Sequence, residues 1–323
     1  MDTNDLNIVV HDIPPYMRVY KDGTVERILG TEITPATEND PETGVSSKDV
    51  VLSPDTGVSA RLYRPNLAAC HDRHKKLPLV VYFHGGAFCI SSTADPVYHS
   101  VLNILVKEAQ VILVSVDYRR PPENPLPTAY EDSWTALRWV GDHVTGLNGT
   151  EFWISELADF DRVFLAGDSA GANISHHMAI RAGLENPGFR ISGILMIHPY
   201  FWGENPMGVE AENPLSKSVI DKWWIFVCPS DKGCDDPLIN PFVDGAPSLV
   251  GLGCGKILVC VAGNDIFRQR GKCYYQALVK SDWVGKAEFY ETDGEDHVFF
   301  LMDRTSENSN RLIKRCAEFI NSV

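Results

Sequence analysis

The five residues Gly167-Asp168-Ser169-Ala170-Gly171 limit what this chain can fold into more than any other stretch of it. They directly follow the apolar run Arg162-Val163-Phe164-Leu165-Ala166 and directly precede Ala172-Asn173-Ile174-Ser175-His176-His177-Met178-Ala179. That order reads as strand, tight turn, helix. Small residues around Ser169 let the chain reverse sharply, which holds the serine at the apex with its hydroxyl exposed and the next N–H pointing the same way. This is the geometry of a serine nucleophile. Such a string also arises by chance, so its weight depends on what else the chain supplies, and in what order.

Upstream, the run 77–83 reads as a buried strand leading into His84-Gly85-Gly86-Ala87-Phe88. A glycine pair after a strand leaves backbone N–H groups bare, and Gly85, Gly86 and Ala170 are the expected donors of an oxyanion hole. In isolation the pair would only mark a turn. Downstream, 256–262 is the best remaining buried-strand pattern and ends in Gly263-Asn264-Asp265, which makes Asp265 the expected acid. Its competing role is a turn residue or the cap of a helix over 267–280. Asp293, Asp296 and the Asp235-Asp236 pair are weaker candidates, since Asp296 adjoins the base in sequence and cannot easily reach round to orient its ring. Of ten histidines only His297 follows Asp265. The order Ser169, Asp265, His297 is thereby complete.

Apolar strands alternate with amphipathic helices along the chain. An opening antiparallel pair is expected at 47–53 and 59–63, then strands at 77–83, 111–117, 162–166, 191–197, 256–262 and 287–291. Helices fall between them near 98–109, 129–144, 172–184, 267–280 and 306–321. Continuous Val/Ile/Leu runs joined by helices imply a mainly parallel α/β sheet covered on both faces, with active groups at the strands' C-terminal ends. No repeat, low-complexity tract or long linker divides the 323 residues, so one domain is expected. Residues 1–45 and about 200–255 stand outside the alternation and are expected to form a cap above Ser169. A pocket near Phe88, Trp202, Trp223, Trp224 and Phe299 would favour aromatic or short-acyl esters.

A hydrophobic fraction of 44% is ample for a core, and a net charge of −14 argues against nucleic acid and anionic membrane surfaces. The basic stretch 71–76 reads as a solvated loop. The first seven residues are acidic and carry no apolar signal region, and no run approaches the roughly 20 apolar residues of a membrane span. A cytosolic protein is expected, with the nucleus open to it by diffusion. Eight cysteines, none paired as CxxC, read as reduced thiols. The sequons at Asn148 and Asn173 are then without meaning. No metal or cofactor is expected, because the rings of the adjacent His176 and His177 diverge on a helix. The sequence leaves the oligomeric state open.

His84-Gly85-Gly86-Ala87-Phe88, Val116-Asp117-Tyr118-Arg119 with Pro122-Glu123, and Gly167-Asp168-Ser169-Ala170-Gly171-Ala172-Asn173 together resemble the hormone-sensitive-lipase-like branch of α/β-hydrolases. More narrowly, the chain resembles the plant carboxylesterases, a group that includes the 2-hydroxyisoflavanone dehydratases and the gibberellin receptors. The likeness covers nearly all of it, including the opening segments 19–27 and 40–49. It implies an α/β-hydrolase fold, a triad of Ser169, Asp265 and His297, an oxyanion hole of Gly85, Gly86 and Ala170, and Asp117 and Arg119 as braces below the site. Ala87 stands where the wider branch often has a third glycine, and Arg120-Pro121 where many relatives read Leu-Ala. Receptor members lose the histidine, and dehydratase or cyclase members can alter the serine or the histidine; this chain keeps all three residues. The resemblance implies a carboxylesterase acting on a small-molecule ester. Two rivals remain: a lyase using His297 for elimination, and a small-molecule receptor.

Overall fold

The computed structural model describes residues 8–67, 76–146 and 151–322. Cys70, the basic stretch up to residue 75, the sequon at Asn148 and the first seven residues lie outside them.

The described chain opens with three short antiparallel strands, β1 (Val9–Ile13), β2 (Met17–Tyr20) and β3 (Val25–Arg27), in a sheet of their own. The sequence reading resolves no strand there. β1 is largely exposed, and β2, which buries Met17 and Val19, is only four residues long, so neither offers the long apolar run that betrays a buried strand. The main sheet begins with β4 (Ser46–Ser53), β5 (Val58–Arg64) and β6 (Leu77–Phe83), followed by α1 (Pro96–Ala109), β7 (Ile112–Asp117), α2 (Thr128–Thr145) and α3 (Phe152–Ser155). Next come β8 (Ala158–Asp168), α4 (Ala170–Leu184), β9 (Ile191–Ile197) and a long insertion holding α5 (Val209–Glu212) and α6 (Pro214–Val227). The chain closes with β10 (Cys254–Ala262), α7 (Arg268–Lys280), β11 (Lys286–Thr292), α8 (Phe299–Met302) and α9 (Glu307–Asn321).

In space the eight strands lie in the order β4-β5-β7-β6-β8-β9-β10-β11. β4 and β5 are antiparallel, as is β5 to β7, and every pair from β7 to β11 is parallel. Side chains alternate across a strand, and here both faces are buried. Leu79, Val81 and Phe83 of β6, with Ile257, Val259 and Val261 of β10, join the cluster containing α2 and α4. Val80, Tyr82, Leu258 and Cys260 face the opposite way, against α1 and α9. α9 earns its place there because Leu312, Ile313, Cys316, Phe319 and Ile320 recur at helical spacing, and Ser306 caps its first turn through the N–H of Ser309. Each fully buried side chain of this size contributes about 1.5–3 kcal/mol.

The insertion is tied to α7 by an ion pair sealed from water. Arg270 donates from Nε to Glu210 Oε1 (2.7 Å) and from Nη2 to Oε2 (2.8 Å), with both side chains at most 3% exposed. Among the described residues no helix is long and apolar enough to cross a membrane.

Candidate active site

β8 delivers the chain to Ser169, which takes φ +51° and ψ −117° before α4 begins. A non-glycine residue rarely adopts such backbone, and packing enforces it here. A Cβ on Gly167 would strike the backbone of Gly171, and one on Gly171 would drive into the carbonyl of Phe83 at the end of β6. A serine heading a helix normally turns its hydroxyl back onto the helix's first amides. Ser169 makes no such bond; its Oγ lies 2.9 Å from Nε2 of His297 instead.

His297 follows β11, and its other nitrogen, Nδ1, stands 2.6 Å from Oδ2 of Asp265, which follows β10. The pairing places the ring proton on Nδ1 and leaves Nε2 to accept from the serine hydroxyl. The Asp265 carboxylate also accepts the N–H of Phe267 at 2.9 Å, so one side chain both caps the turn into α7 and holds the base. Burial works against its charge, yet the His297 ring and that amide keep it below the usual carboxylate range. Burial likewise pulls His297 down, and the attraction and hydrogen bond of Asp265 outweigh it, so the ring's pKa is raised above its ordinary value. The weaker acid candidates are elsewhere. Asp293 and Asp296 are exposed, and Asp235 and Asp236 hold backbone and Asn240 groups of the insertion.

The loop after β6 is fixed from behind by its carbonyls. Tyr118 donates to the oxygens of His84 (2.7 Å) and Gly85 (3.0 Å), Trp223 of α6 to that of Ala87 (3.0 Å), and Arg27 of β3 to that of Cys89 (2.7 Å). Arg120 reaches the carbonyl of Ser91. Here the expectation for Gly85 needs correcting. Its N–H donates to the Tyr98 hydroxyl at 2.8 Å and is therefore spent. The amides of Gly86 and Ala87 carry no hydrogen bond to another described residue, and Ala170 opens α4, where the first N–H groups of a helix have no partner within it. The bare pair lies one residue further along than the glycines suggest.

Sequence reasoning missed Asp168. Fully buried beside Ser169, it accepts from Tyr82 on Oδ1 and from Tyr98 on Oδ2, both at 2.8 Å. Burial pushes its carboxyl up to about 6 against those two donors. Tyr98 thus joins the nucleophile's neighbour to the loop bearing the bare amides. A charged residue placed directly after the run of apolar and small residues 163–167 was the available signal. The braces below the site differ from one another. Arg119 grips Asp132 with two bonds of 2.9 and 2.7 Å, while burial raises the Asp117 carboxyl.

The five expected pocket residues are all buried but do not form one wall. Phe88, Trp202, Trp223 and Trp224 share one apolar cluster and Phe299 belongs to the other. Trp202 donates to Asp221 (2.6 Å) and Trp224 to the carbonyl of Gly233 (2.9 Å), so both stiffen the insertion. Tyr16 of the N-terminal segment meets Trp223 edge-on at 5.2 Å, and His11 meets Phe226 at 5.1 Å. Among the described residues, the group with metal-ligand spacing is His198, Asp265 and His297, within 4.8 Å of one another. The facing atoms of Asp265 and His297 are already bonded to each other. His176 and His177 serve Tyr274 and the carbonyl of Leu238, and Asn173 is buried in α4.

Residues 80–301 match a family model described as the alpha/beta hydrolase fold. The chain is 52% identical to "Probable carboxylesterase 2" of Arabidopsis thaliana, over 97% of this chain and 96% of that protein. It is 46% identical to the 2-hydroxyisoflavanone dehydratase of Glycyrrhiza echinata, over 96% and 95% of the two chains. Among solved structures it is similar to an esterase of Pyrobaculum calidifontis, with a TM-score of 0.69, 26% identity, and coverage of 85% of this chain and 84% of that one.

Proposed function

This chain belongs to the α/β-hydrolase family, in the branch of the plant carboxylesterases and 2-hydroxyisoflavanone dehydratases, and we propose that it hydrolyses small carboxylic esters through an acyl-enzyme on Ser169. The observation that carries the reading is His297, which reaches Ser169 at 2.9 Å and Asp265 at 2.6 Å with its two ring nitrogens. Nε2 takes the hydroxyl proton as Oγ attacks the ester carbonyl, and Asp265 holds the tautomer and stabilises the imidazolium. The oxyanion is received by Gly86, Ala87 and Ala170. Their positions are set before substrate arrives, because the loop's carbonyls are already bound from behind. His297 returns its proton to the leaving alcohol, and water, activated by the same nitrogen, releases the acid.

Residues 8–45 and about 200–255 act as the cap, a reading supported by the contacts of Tyr16, Arg27 and Trp223. A surface cavity of about 480 Å³ between the insertion and the turn after β10 is lined by apolar Val209, Leu215, Val219, Ile220 and Ile266 together with polar Asn213, Ser216 and Asn264, and Ser169, Asp265 and His297 are not among its lining residues. The cysteines of the described residues are free thiols, which fits a reducing compartment such as the cytosol.

Hydrolysis of p-nitrophenyl acetate, butyrate and octanoate by wild type and Ser169→Ala tests the reading. Turnover is expected to fall at least ~10³-fold in the variant. A variant retaining near-normal ester hydrolysis overturns it. Elimination would need His297 and the bare amides but not the serine oxygen, so the Ser169–His297 bond favours hydrolysis.

A further inference from the structure

His198 directly follows β9 and has no part in the steps above. Its ring is 1% exposed and lies beside the base, with the His198 and His297 ring centroids 5.9 Å apart. One of its nitrogens is within 4.8 Å of both the Asp265 carboxylate and the His297 ring. Nδ1 accepts the backbone N–H of Val298 at 2.9 Å, which leaves the ring's proton on Nε2. Burial pulls the pKa of this imidazole down to about 3, so Nδ1 remains an acceptor wherever an esterase would work.

The bonded N–H belongs to the peptide joining His297 to Val298, and the orientation of that peptide sets where the base is aimed. Val298 has φ +49° and ψ +33°. A β-branched residue in left-handed backbone is a genuine outlier and persists only where its surroundings hold it there. His198 itself has φ +48°. Two strained residues, one following β9 and one heading α8, therefore secure each other next to the base.

We propose that His198 is a positioning residue: its Nδ1 clamps the His297–Val298 peptide, so that the base stays aligned between Ser169 and Asp265 while protons move. The role rests on the catalytic reading of Ser169, Asp265 and His297.

The test measures kcat and KM for p-nitrophenyl butyrate in wild type, His198→Asn, His198→Phe and His198→Phe with Val298→Gly, alongside melting temperatures. Asparagine offers an oxygen near the place of Nδ1 and tolerates left-handed backbone, whereas phenylalanine fills the space without an acceptor. His198→Phe is expected to lower kcat about tenfold to 10²-fold with KM within about twofold, as misplaced catalytic groups do. His198→Asn is expected to stay within about threefold of wild type, and Val298→Gly, which removes the strain, to recover part of the phenylalanine loss. A purely packing role would give neither rescue. Unchanged kcat in His198→Phe overturns the proposal, as does a loss carried by KM, or an asparagine variant as impaired as the phenylalanine one. If phenylalanine prevents folding, His198→Leu carries the same comparison. A wild type without Ser169-dependent hydrolysis brings down the catalytic reading and this role with it. Full kcat in His198→Phe, with Ser169→Ala inactive, removes the positioning role alone.

Discussion

The nucleophile turn and the base loop both hold a non-glycine residue at positive φ, at Ser169 and at Val298, but by different means. At Ser169 the surroundings are backbone. Gly167 and Gly171 pack so closely against each other and against Phe83 that no side chain fits between them. At Val298 the surroundings include a single side-chain hydrogen bond from a residue one hundred positions earlier. A site fixed by crowding has no alternative position to occupy, whereas a site fixed by one bond has whatever freedom that bond denies it. The first arrangement resists perturbation until it fails outright, and the second degrades in steps.

Gly171→Ala is the largest expected effect, because its Cβ meets the Phe83 carbonyl and neither backbone can yield. The variant is expected to lose at least ~3 kcal/mol of stability and its esterase activity, read from thermal melts and soluble yield. A folded variant with wild-type kcat would break the comparison on the packed side. Tyr98→Phe removes a side-chain bond from that same side, freeing one oxygen of Asp168 and the amide of Gly85. Crowding still fixes the turn, so kcat should fall only about three- to fivefold, less than in His198→Phe. A larger loss would reverse the contrast.

The smallest effect is on pH. His297 must be neutral to accept the serine proton, and in the fold its pKa is raised because Asp265 outweighs burial. The acid limb of kcat/KM should therefore lie above the ordinary imidazole value of about 6.5. In Asp265→Asn, which also gives up the tautomer and with it most of the turnover, the limb of the residual activity moves towards lower pH. An acid limb below the ordinary value in wild type would mean that burial dominates at the base.

The same contrast explains what could be read from the chain. Crowding requires glycine, and glycine is visible, so the turn at Ser169 and the loop after β6 stand out. The acid and base follow from order alone, Asp265 ending a strongly apolar run and His297 being the last histidine. The main sheet was legible because its inner strands are buried on both faces, although β4 and β11 at its edges are not. Where one side chain decides, the sequence is silent. Gly85 looks like a donor until Tyr98, thirteen residues on, claims its N–H. His198 resembles any polar residue at a strand end. The three strands at the N-terminus escape notice because they are short, β2 alternating buried Met17 and Val19 over only four residues and β1 being exposed, and the five aromatic residues gave no hint of which face each would take.

Helix α6 presents two sides to different fates. Trp223 is buried and bonded to the carbonyl of Ala87, while Leu215, Val219 and Ile225 are exposed to solvent. Mutational drift can rework that outer side freely, since among the described residues it makes no hydrogen bond to the loop after β6. Change at position 223 is felt at once in the loop after β6, through the carbonyl of Ala87. One helix can thus vary on its outer side while its inner edge holds the loop after β6 in place.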